Sequence, residues 1–319
     1  MQYWDIVTRS FRISWNHKYL WLIALFSGES SAGFNFNYSQ PQPSSNGRAP
    51  DFAAAQHQIT AWLNDHIALV AFLVIAWLVL AIAFFILGAI CEGATVRASA
   101  EHDAERPFHL GWAWRAGITT MWVIVRFRLL LIALGLPLAL LVFGLVVGLI
   151  AALANGNAGA AIGLVLGGVL LALLGIPYVI YLFFLDRLGS RAAVLEQLAA
   201  RASIARGHRL LFKRFGRTLV VWLLSIAVSI VLGIALACIG AIVFVPLFLG
   251  GAALLASGSA AFWLLVAIAV LTFLPLYLVV AGFVSAQSST YWTLAFRRLD
   301  LDPAPSYPYG YQPPPQPAS

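Results

Sequence analysis

Residues 186–217 read DRLGSRAAVLEQLAARASIARGHRLLFKRFGR and form the most basic stretch of the chain. The stretch holds eight Lys or Arg side chains against Asp186 and Glu196, and it lies between two of the longest apolar runs. Basic segments that flank apolar runs stay on the cytoplasmic side of a membrane, according to the positive-inside rule. The stretch therefore predicts an all-α integral membrane protein and also predicts which way that protein faces.

The composition of the whole chain agrees with this class. Of 319 residues, 61% are hydrophobic and only 10% are charged, whereas soluble domains carry about 25% charged residues. The sequence pI of about 9.7 fits loops that face an anionic leaflet, so it does not require a nucleic-acid partner. The two cysteines, Cys91 and Cys238, predict no disulfide framework.

The apolar runs predict about six transmembrane helices within a single domain, residues 1–299. A helix needs about 20 apolar residues to cross a bilayer, and residues 67–90 provide 24 without a charge. The predicted spans are about 10–28, 67–90, 129–154, 160–185, 219–243 and 261–285.

Two of these spans are ambiguous in the sequence. The first has a clean apolar run of only 8 residues, 19–26, so it crosses only if part of the preceding amphipathic stretch enters the bilayer. A signal peptide cleaved near residues 30–32 is the alternative interpretation. The fifth lies in an apolar run of 38 residues, 218–255. Pro246 and the pair Gly250-Gly251 predict one crossing followed by an irregular or partly embedded extension.

The segments between the spans predict the two sides of the protein. Residues 29–66 are polar and predict an external loop, whereas residues 91–128 and 186–217 predict basic cytoplasmic loops with interfacial amphipathic helices. Residues 286–299 predict another interfacial helix, and residues 300–319 predict a disordered Pro-rich cytoplasmic tail. With six crossings, 18 of the 19 Lys and Arg residues lie on one side, which predicts that both termini are cytoplasmic.

Small residues predict helix packing and an internal repeat. The pairs Gly144/Gly148 and Gly163/Gly167 place glycines on one face of each neighbouring helix, which permits close packing. A period of roughly 100 residues predicts three repeated helical hairpins. Each hairpin is entered through a basic aromatic segment and left through small residues, which begin at Gly93, Gly189 and Gly282.

This organisation resembles a broad group of uncharacterised bacterial six-span proteins, among them the membrane domain of some glycerophosphoryl diester phosphodiesterases. The resembling strings are WNHKYLWL at 15–22 and RAAVLE at 191–196. The resemblance implies a bacterial cytoplasmic membrane protein of similar layout. It does not imply hydrolase activity, because the catalytic barrel is absent from the chain.

The sequence contains little that predicts catalysis. Five of the spans, all but the first, contain no Asp, Glu, Lys, Arg or His, which argues against proton-coupled transport. The segment EHDAERPFH at 101–109 has metal-ligating residue types, and a metal-dependent lipid enzyme would use His102, Asp103 and His109. Its spacing matches no closed ligand pattern, so we interpret the segment as a solvated loop. We predict no catalytic residue, cofactor or metal site.

The best candidate for recognition is the basic face beside the fifth span. Clusters of basic residues next to a membrane attract anionic headgroups. The face predicts a non-catalytic protein that binds anionic lipid or assembles with other membrane subunits or with copies of itself. A permease component or a lipid-translocating channel is the alternative. The candidate contacts are Arg206, Arg209, Lys213, Arg214 and Arg217.

Overall fold

The computed structural model describes residues 3–27, 60–256 and 261–300, and in these ranges the chain is helical with no strand. Most of the predicted external loop, the alternative cleavage site and nearly all of the predicted tail lie outside the described residues. A short helical segment at 60–65 precedes α3. The main helices are α1 (Tyr3–Asn16), α2 (Tyr19–Phe26), α3 (Ile67–Asp103), α4 (Leu110–Ala154), α5 (Ala158–Leu195), α6 (Ala200–Lys213), α7 (Phe215–Ala256) and α8 (Ala261–Asp300).

The long helices extend well past the thickness of a bilayer. At 37 residues, α3 is about 55 Å long at 1.5 Å per residue, whereas the hydrocarbon core of a bilayer is about 30 Å thick. Within α3, residues 67–80 are exposed apart from Val70, whereas most of residues 88–99 are buried. An apolar surface of this kind is suited to lipid, and the buried half carries the polar residues. We call the end of the molecule that holds the buried halves of α3, α5 and α8 the basic side.

In the described parts of the chain, five helices are long and apolar enough to cross a membrane, which makes this a membrane protein. Their ranges are Ile67–Asp103, Leu110–Ala154, Ala158–Leu195, Phe215–Cys238 and Leu271–Leu299. The predicted first span, 10–28, is not one continuous helix, because the helix is interrupted at His17 and Lys18, between α1 and α2. At 8 residues, α2 is too short to cross by itself.

The segments predicted as basic loops with amphipathic helices are largely helical, and much of each continues a long helix. Residues 91–103 continue α3, and residues 110–128 are the first part of α4. The second loop, 186–217, contains the end of α5, all of α6 and the start of α7. Charged helical extensions of this kind are stable because one face of each packs into a shared core.

Residues 286–299 form the centre of that core and not a helix at the membrane surface, contrary to prediction. Tyr291 and Trp292 are 2% and 1% exposed, and Leu294 and Leu299 are fully buried. Trp292 contacts Phe183 of α5 edge-on, with ring centroids 5.8 Å apart. The aromatic residues that suggested an interfacial position are therefore core residues.

Small polar side chains join α1, α3 and α8 inside this core. Ser99 and Thr290 share a hydrogen bond of 2.9 Å, and Ser14 donates to the same Thr290 hydroxyl at 3.5 Å. Gln287 donates to Ser10 at 3.4 Å. Hydroxyl and amide groups of this kind satisfy one another where helices cross closely.

The predicted break in the fifth apolar run does not occur. Helix α7 is continuous over 42 residues, Phe215–Ala256, and includes Pro246 and the pair Gly250-Gly251. Proline and glycine are tolerated in membrane-spanning helices because neighbouring helices and local adjustments satisfy the freed backbone groups.

The predicted hairpin of α4 and α5 is present, but its close contacts involve other glycines. A Cβ atom built on Gly144, Gly163 or Gly167 has no neighbour within 4 Å, and one built on Gly148 lies 3.5 Å from Leu164. The tighter approaches are those of Leu145 to Gly168, at 3.4 Å, and of Leu138 to Gly175, at 3.3 Å. Spacing alone does not determine which of the two glycine-bearing faces of a helix meets its neighbour.

Candidate anion-binding site

The predicted basic face forms a cleft between α6 and the end of α8. The cleft has a volume of about 250 Å³. Arg209 and Lys213 are exposed, and Arg206 and Arg214 are half-buried. We call this the basic cleft, and it is lined by Arg206, Arg209, Leu210, Lys213, Arg214 and Leu299.

Helix α6 is fixed in place by a glycine contact with α5. A Cβ atom built on Gly207 lies 3.1 Å from the backbone nitrogen of Gly189 and 3.3 Å from its Cα. On the same face of α6, Leu210 and Leu211 are each 3% exposed. Burial of this apolar face leaves the basic residues of the opposite face at the surface.

Arg206 of the basic cleft is paired with a carboxylate. The Nε atom of Arg206 donates to both carboxylate oxygens of Glu196, at 3.2 Å each. Glu196 itself does not line the cleft, and no described residue that does so is acidic. The charged groups of the lining are therefore all positive, and its chemistry suits an anion.

Arg217 does not belong to the cleft, although the sequence places it on the same helical face. The backbone of Arg214 (φ −127°, ψ 32°) ends α6, and α7 begins at Phe215. The change of direction at Arg214 moves Arg217 onto another helix. Four of the five residues that the sequence grouped therefore lie together in the cleft.

The position of the cleft puts it where the chain enters the bilayer. Arg214 is followed directly by α7, whose apolar run begins at residue 218. Phosphate groups of lipids lie at this depth, and Arg forms bidentate hydrogen bonds with phosphate oxygens. A headgroup phosphate would be within reach of several cations at once.

The candidate metal-ligating residues of the segment 101–109 contact other side chains. His102 stacks on His17 with ring centroids 3.6 Å apart, and its Nε2 lies 2.6 Å from the Tyr19 hydroxyl. His109 packs against Trp112, with centroids 4.4 Å apart. Across the described parts of the chain, no group of three His, Cys, Asp or Glu side chains could hold a metal ion.

Asp103, the third metal-ligating candidate of that segment, forms ion pairs with both the first and the last helix. Its carboxylate lies 2.7 Å from Nε of Arg9 in α1 and also pairs with Arg297 in α8. The neighbouring pair of Arg298 and Asp5, at 2.6 Å, again joins α8 to α1. The structure thus uses Asp103 to hold helices together.

A second cavity on the basic side, between the ends of α3, α5 and α8, has mixed charge. Its volume is about 400 Å³, and its lining includes the carboxylates of Glu101 and Glu196. Arg97 and Arg106 both pair with Glu101, at 2.9 and 3.4 Å. Since the described lining of the basic cleft contains no carboxylate, the basic cleft is the stronger anion site.

Sequence reasoning missed a buried ion pair between α3 and α4. Glu92 is 3% exposed, and Arg128 donates to its Oε2 from Nη2 at 2.6 Å and from Nε at 3.0 Å. Arg128 also donates to the backbone carbonyl of Ser27 at 2.6 Å. The sequence did contain a signal for this pair, because Glu92 follows the predicted span 67–90 and Arg128 precedes the predicted span 129–154.

The comparisons with known proteins identify the family and no relative of known function. A model of a family of unknown function (DUF7544) matches residues 8–295. No curated protein matches the chain, and no solved structure does either. The resemblance to the phosphodiesterase membrane domain therefore stays a prediction from the sequence. Because the family model covers most of the chain, from α1 to the core half of α8, this protein belongs to the DUF7544 family.

Proposed function

We propose that this protein is a non-catalytic multi-pass membrane protein that binds an anionic phospholipid through the basic cleft. The observation that carries the proposal is the convergence of four basic side chains on one small cleft at the point where α7 begins. Basic residues near an anionic membrane surface each contribute about 1 kcal/mol. An assembly partner with an acidic segment would use the same charges, and is the other ligand to test.

We propose six crossings with both termini in the cytoplasm of a bacterial cell. The five long apolar helices support five crossings. The carbonyl of Ser27 accepts a hydrogen bond from Arg128 on the basic side, so the sixth crossing would lie between Ser27 and the start of α3 at the opposite end. Six crossings place 18 of 19 basic residues on one side, as the positive-inside rule requires. The basic cleft then faces the cytoplasmic leaflet, where anionic lipids are most abundant.

We also propose that the chain consists of three repeated hairpins, and a ring of glycine contacts supports this. Gly93 at the exit of the first unit packs on α4, with Gly117 Cα 3.4 Å from its Cβ position. Gly189 at the second exit meets Gly207 of α6. At the third exit, the Cβ position of Gly282 lies 2.6 Å from the carbonyl oxygen of Trp21 in α2. Each exit therefore contacts the entry of the next unit, and the third contacts the first.

The lipid proposal is tested by native mass spectrometry of the protein released gently from its membrane. We expect phosphatidylglycerol to remain bound to the wild type. Removing Arg209 and Lys213 should cost about 2 kcal/mol, which is roughly 30-fold in affinity. Both side chains are exposed, so the double variant Arg209→Ala/Lys213→Ala should fold normally.

The matched control removes two exposed basic residues outside the cleft. Arg201 in α6 and Arg115 in α4 are both exposed, and neither lines the basic cleft. The variant Arg201→Ala/Arg115→Ala changes the net charge equally and should keep its lipid. Equal loss of lipid in both variants would show general charge attraction in place of a site, and an equal number of lipids bound to both variants and to the wild type would refute the proposal.

The second candidate function is a permease component or a lipid-translocating channel. A long apolar groove beside α7 and α8 favours it, because a path for lipid needs an apolar surface that crosses the bilayer. The test is movement of fluorescent phospholipid between the leaflets of proteoliposomes. Leaflet exchange no faster than in protein-free vesicles would count against this function and would leave the lipid-binding proposal in place.

A further inference from the structure

A large groove lies between α7 and α8 and has residues of α5 at one end. Its volume is about 1070 Å³, slightly above the range of about 300–1,000 Å³ for small-molecule sites. Its lining shares no residue with the basic cleft. We call it the α7–α8 groove.

A row of small residues along α7 forms part of the floor of the groove. Ser225, Ser229, Gly233, Ala237 and Ala241 all line it and follow one another at intervals of four residues. Residues four apart are neighbours on a helix surface, so the row is a continuous shallow strip that winds gradually around α7. A Cβ atom built on Gly233 has no neighbour within 4 Å, which shows that the space above the strip is open.

The groove runs almost the full thickness of a bilayer. Its lining extends along α7 from Trp222 to Ala241, and along α8 from Phe273 to Trp292. Each stretch covers nineteen steps along a helix, or about 28 Å, against a hydrocarbon core of about 30 Å. The length is sufficient for an extended acyl chain that starts at one membrane surface.

The two ends of the groove differ in chemistry. Arg187 is the one charged residue among the described residues that line it, and its guanidinium carbon lies 5.3 Å from the centre of the Phe183 ring. Trp222 and Trp292 line the same end. Away from this end the lining is apolar apart from the hydroxyl groups of serine and tyrosine side chains. A cation and tryptophans at one end with an apolar surface beyond match the profile of a membrane interface.

We propose that the α7–α8 groove binds one phospholipid of the basic-side leaflet. Its acyl chain lies along the small-residue floor, and its anionic headgroup meets Arg187. A lipid matches both ends of the groove, because it is itself anionic at one end and apolar along its length. A transmembrane helix of a partner or of a second copy would match the floor, but an apolar helix has no anionic group that complements the cationic end of the groove.

The site is tested with a phosphatidylglycerol probe that carries a photoreactive group in its acyl chain, in nanodiscs. After irradiation, we expect labelled peptides from 225–241 and 273–284 in clear excess over the equally lipid-exposed peptides of α3. The variant Gly233→Leu fills the groove and should reduce this labelling at least fivefold. The control Gly144→Leu adds the same side chain at another open glycine, outside the groove, and should leave the labelling unchanged.

The headgroup contact is tested separately with Arg187→Gln. This variant should lose the preference for phosphatidylglycerol over phosphatidylcholine probes while still labelling the floor. Labelling spread evenly over all lipid-facing helices, or unaffected by Gly233→Leu, would overturn the proposal. Cross-links between two copies through the groove would also overturn it, in favour of a dimer. The variant Arg209→Ala/Lys213→Ala should keep the groove labelling, so failure of the basic cleft and failure of the groove are distinguishable.

Discussion

The guanidinium of Arg128 donates two hydrogen bonds to one carboxylate oxygen of Glu92, from Nη2 at 2.6 Å and from Nε at 3.0 Å. The side chain of Glu92 is 4% exposed and that of Arg128 is 20% exposed. The pair joins α3 to α4 at the depth where both helices leave their apolar segments. It is more buried than the ion pairs of Asp103 and Glu101 described above, so its disruption should cost more than theirs.

We therefore expect Arg128→Leu to destabilise the protein strongly. Removing one partner of a buried pair leaves an uncompensated charge, which costs about 3–5 kcal/mol. The measurement is thermal unfolding in mild detergent, where a large fall in melting temperature is expected. The control is Arg106→Leu. The Arg106 side chain is 70% exposed in its pair with Glu101, so this substitution should lower the stability by about 1 kcal/mol or less. Similar losses in both variants would contradict the burial argument.

A second prediction concerns the glycine contact that joins α8 to α2. A Cβ atom on Gly282 would lie 2.6 Å from the carbonyl oxygen of Trp21 and 3.1 Å from its carbonyl carbon. Because both are backbone atoms, they cannot move aside as a flexible side chain would. We expect Gly282→Ala to lower the stability by about 1–3 kcal/mol, as overpacking does, measured by the same unfolding assay.

The matched control for this substitution is Gly163→Ala. Gly163 is helical and has no heavy atom within 4 Å of its Cβ position. Alanine is favoured over glycine in a helix interior by about 1 kcal/mol, so this variant should be unchanged or slightly more stable. Loss of stability in Gly163→Ala equal to that of Gly282→Ala would refute the packing explanation.

The apolar runs were sufficient to predict the helical class and the membrane. Runs such as 67–90 are long and free of charge, and length with composition decides whether a helix crosses a bilayer. The basic cleft was also largely predictable, because Arg206, Arg209 and Lys213 recur at three- and four-residue steps. The spacing of residues within one helix can be read directly from the sequence.

The core of the basic side was not predictable in the same way. Residues 286–299 carry the aromatic and basic pattern of an interfacial helix, yet Tyr291 donates a buried hydrogen bond of 2.7 Å to the carbonyl of Val221. Whether such a helix meets lipid or protein depends on elements distant in the chain. The Glu92–Arg128 pair, separated by 36 positions, depends on the α3–α4 packing in the same way.

A third prediction concerns the attachment of α1. Asp103 holds Arg9 of α1 and Arg297 of α8, so Asp103→Asn removes the negative charge that both arginines share. We expect α1 to detach more often, with faster hydrogen exchange over residues 3–16 than in the wild type. The control is Glu105→Gln, because the Glu105 side chain is 85% exposed and lies 3.6 Å from Arg9. Unchanged exchange of α1 in Asp103→Asn would show that the polar contacts of Ser10 and Ser14 hold it without the ion pairs.

The last prediction tests the six-crossing topology, on which the orientation of the basic cleft depends. Cys238 is exposed and Cys91 is buried, so a Cys238→Ser background removes the accessible native thiol. Two separate variants are made in this background. One carries Ser44→Cys in the predicted external loop, and the other carries Ser306→Cys in the predicted cytoplasmic tail. With a membrane-impermeant maleimide on intact cells, we expect the thiol at position 44 to be labelled and the thiol at position 306 to be labelled only after lysis.

A cysteine added before Met1 decides whether the chain crosses the membrane once before α3. Position 44 lies outside in either case, because the span that begins at residue 67 follows it, so only the N-terminus changes sides. Protection of the added thiol until lysis supports six crossings, and labelling on intact cells reduces the number to five. Five crossings would place α1 and Asp103 on opposite sides of the membrane. The ion pair of 2.7 Å between Arg9 and Asp103 requires them on the same side, so we expect protection.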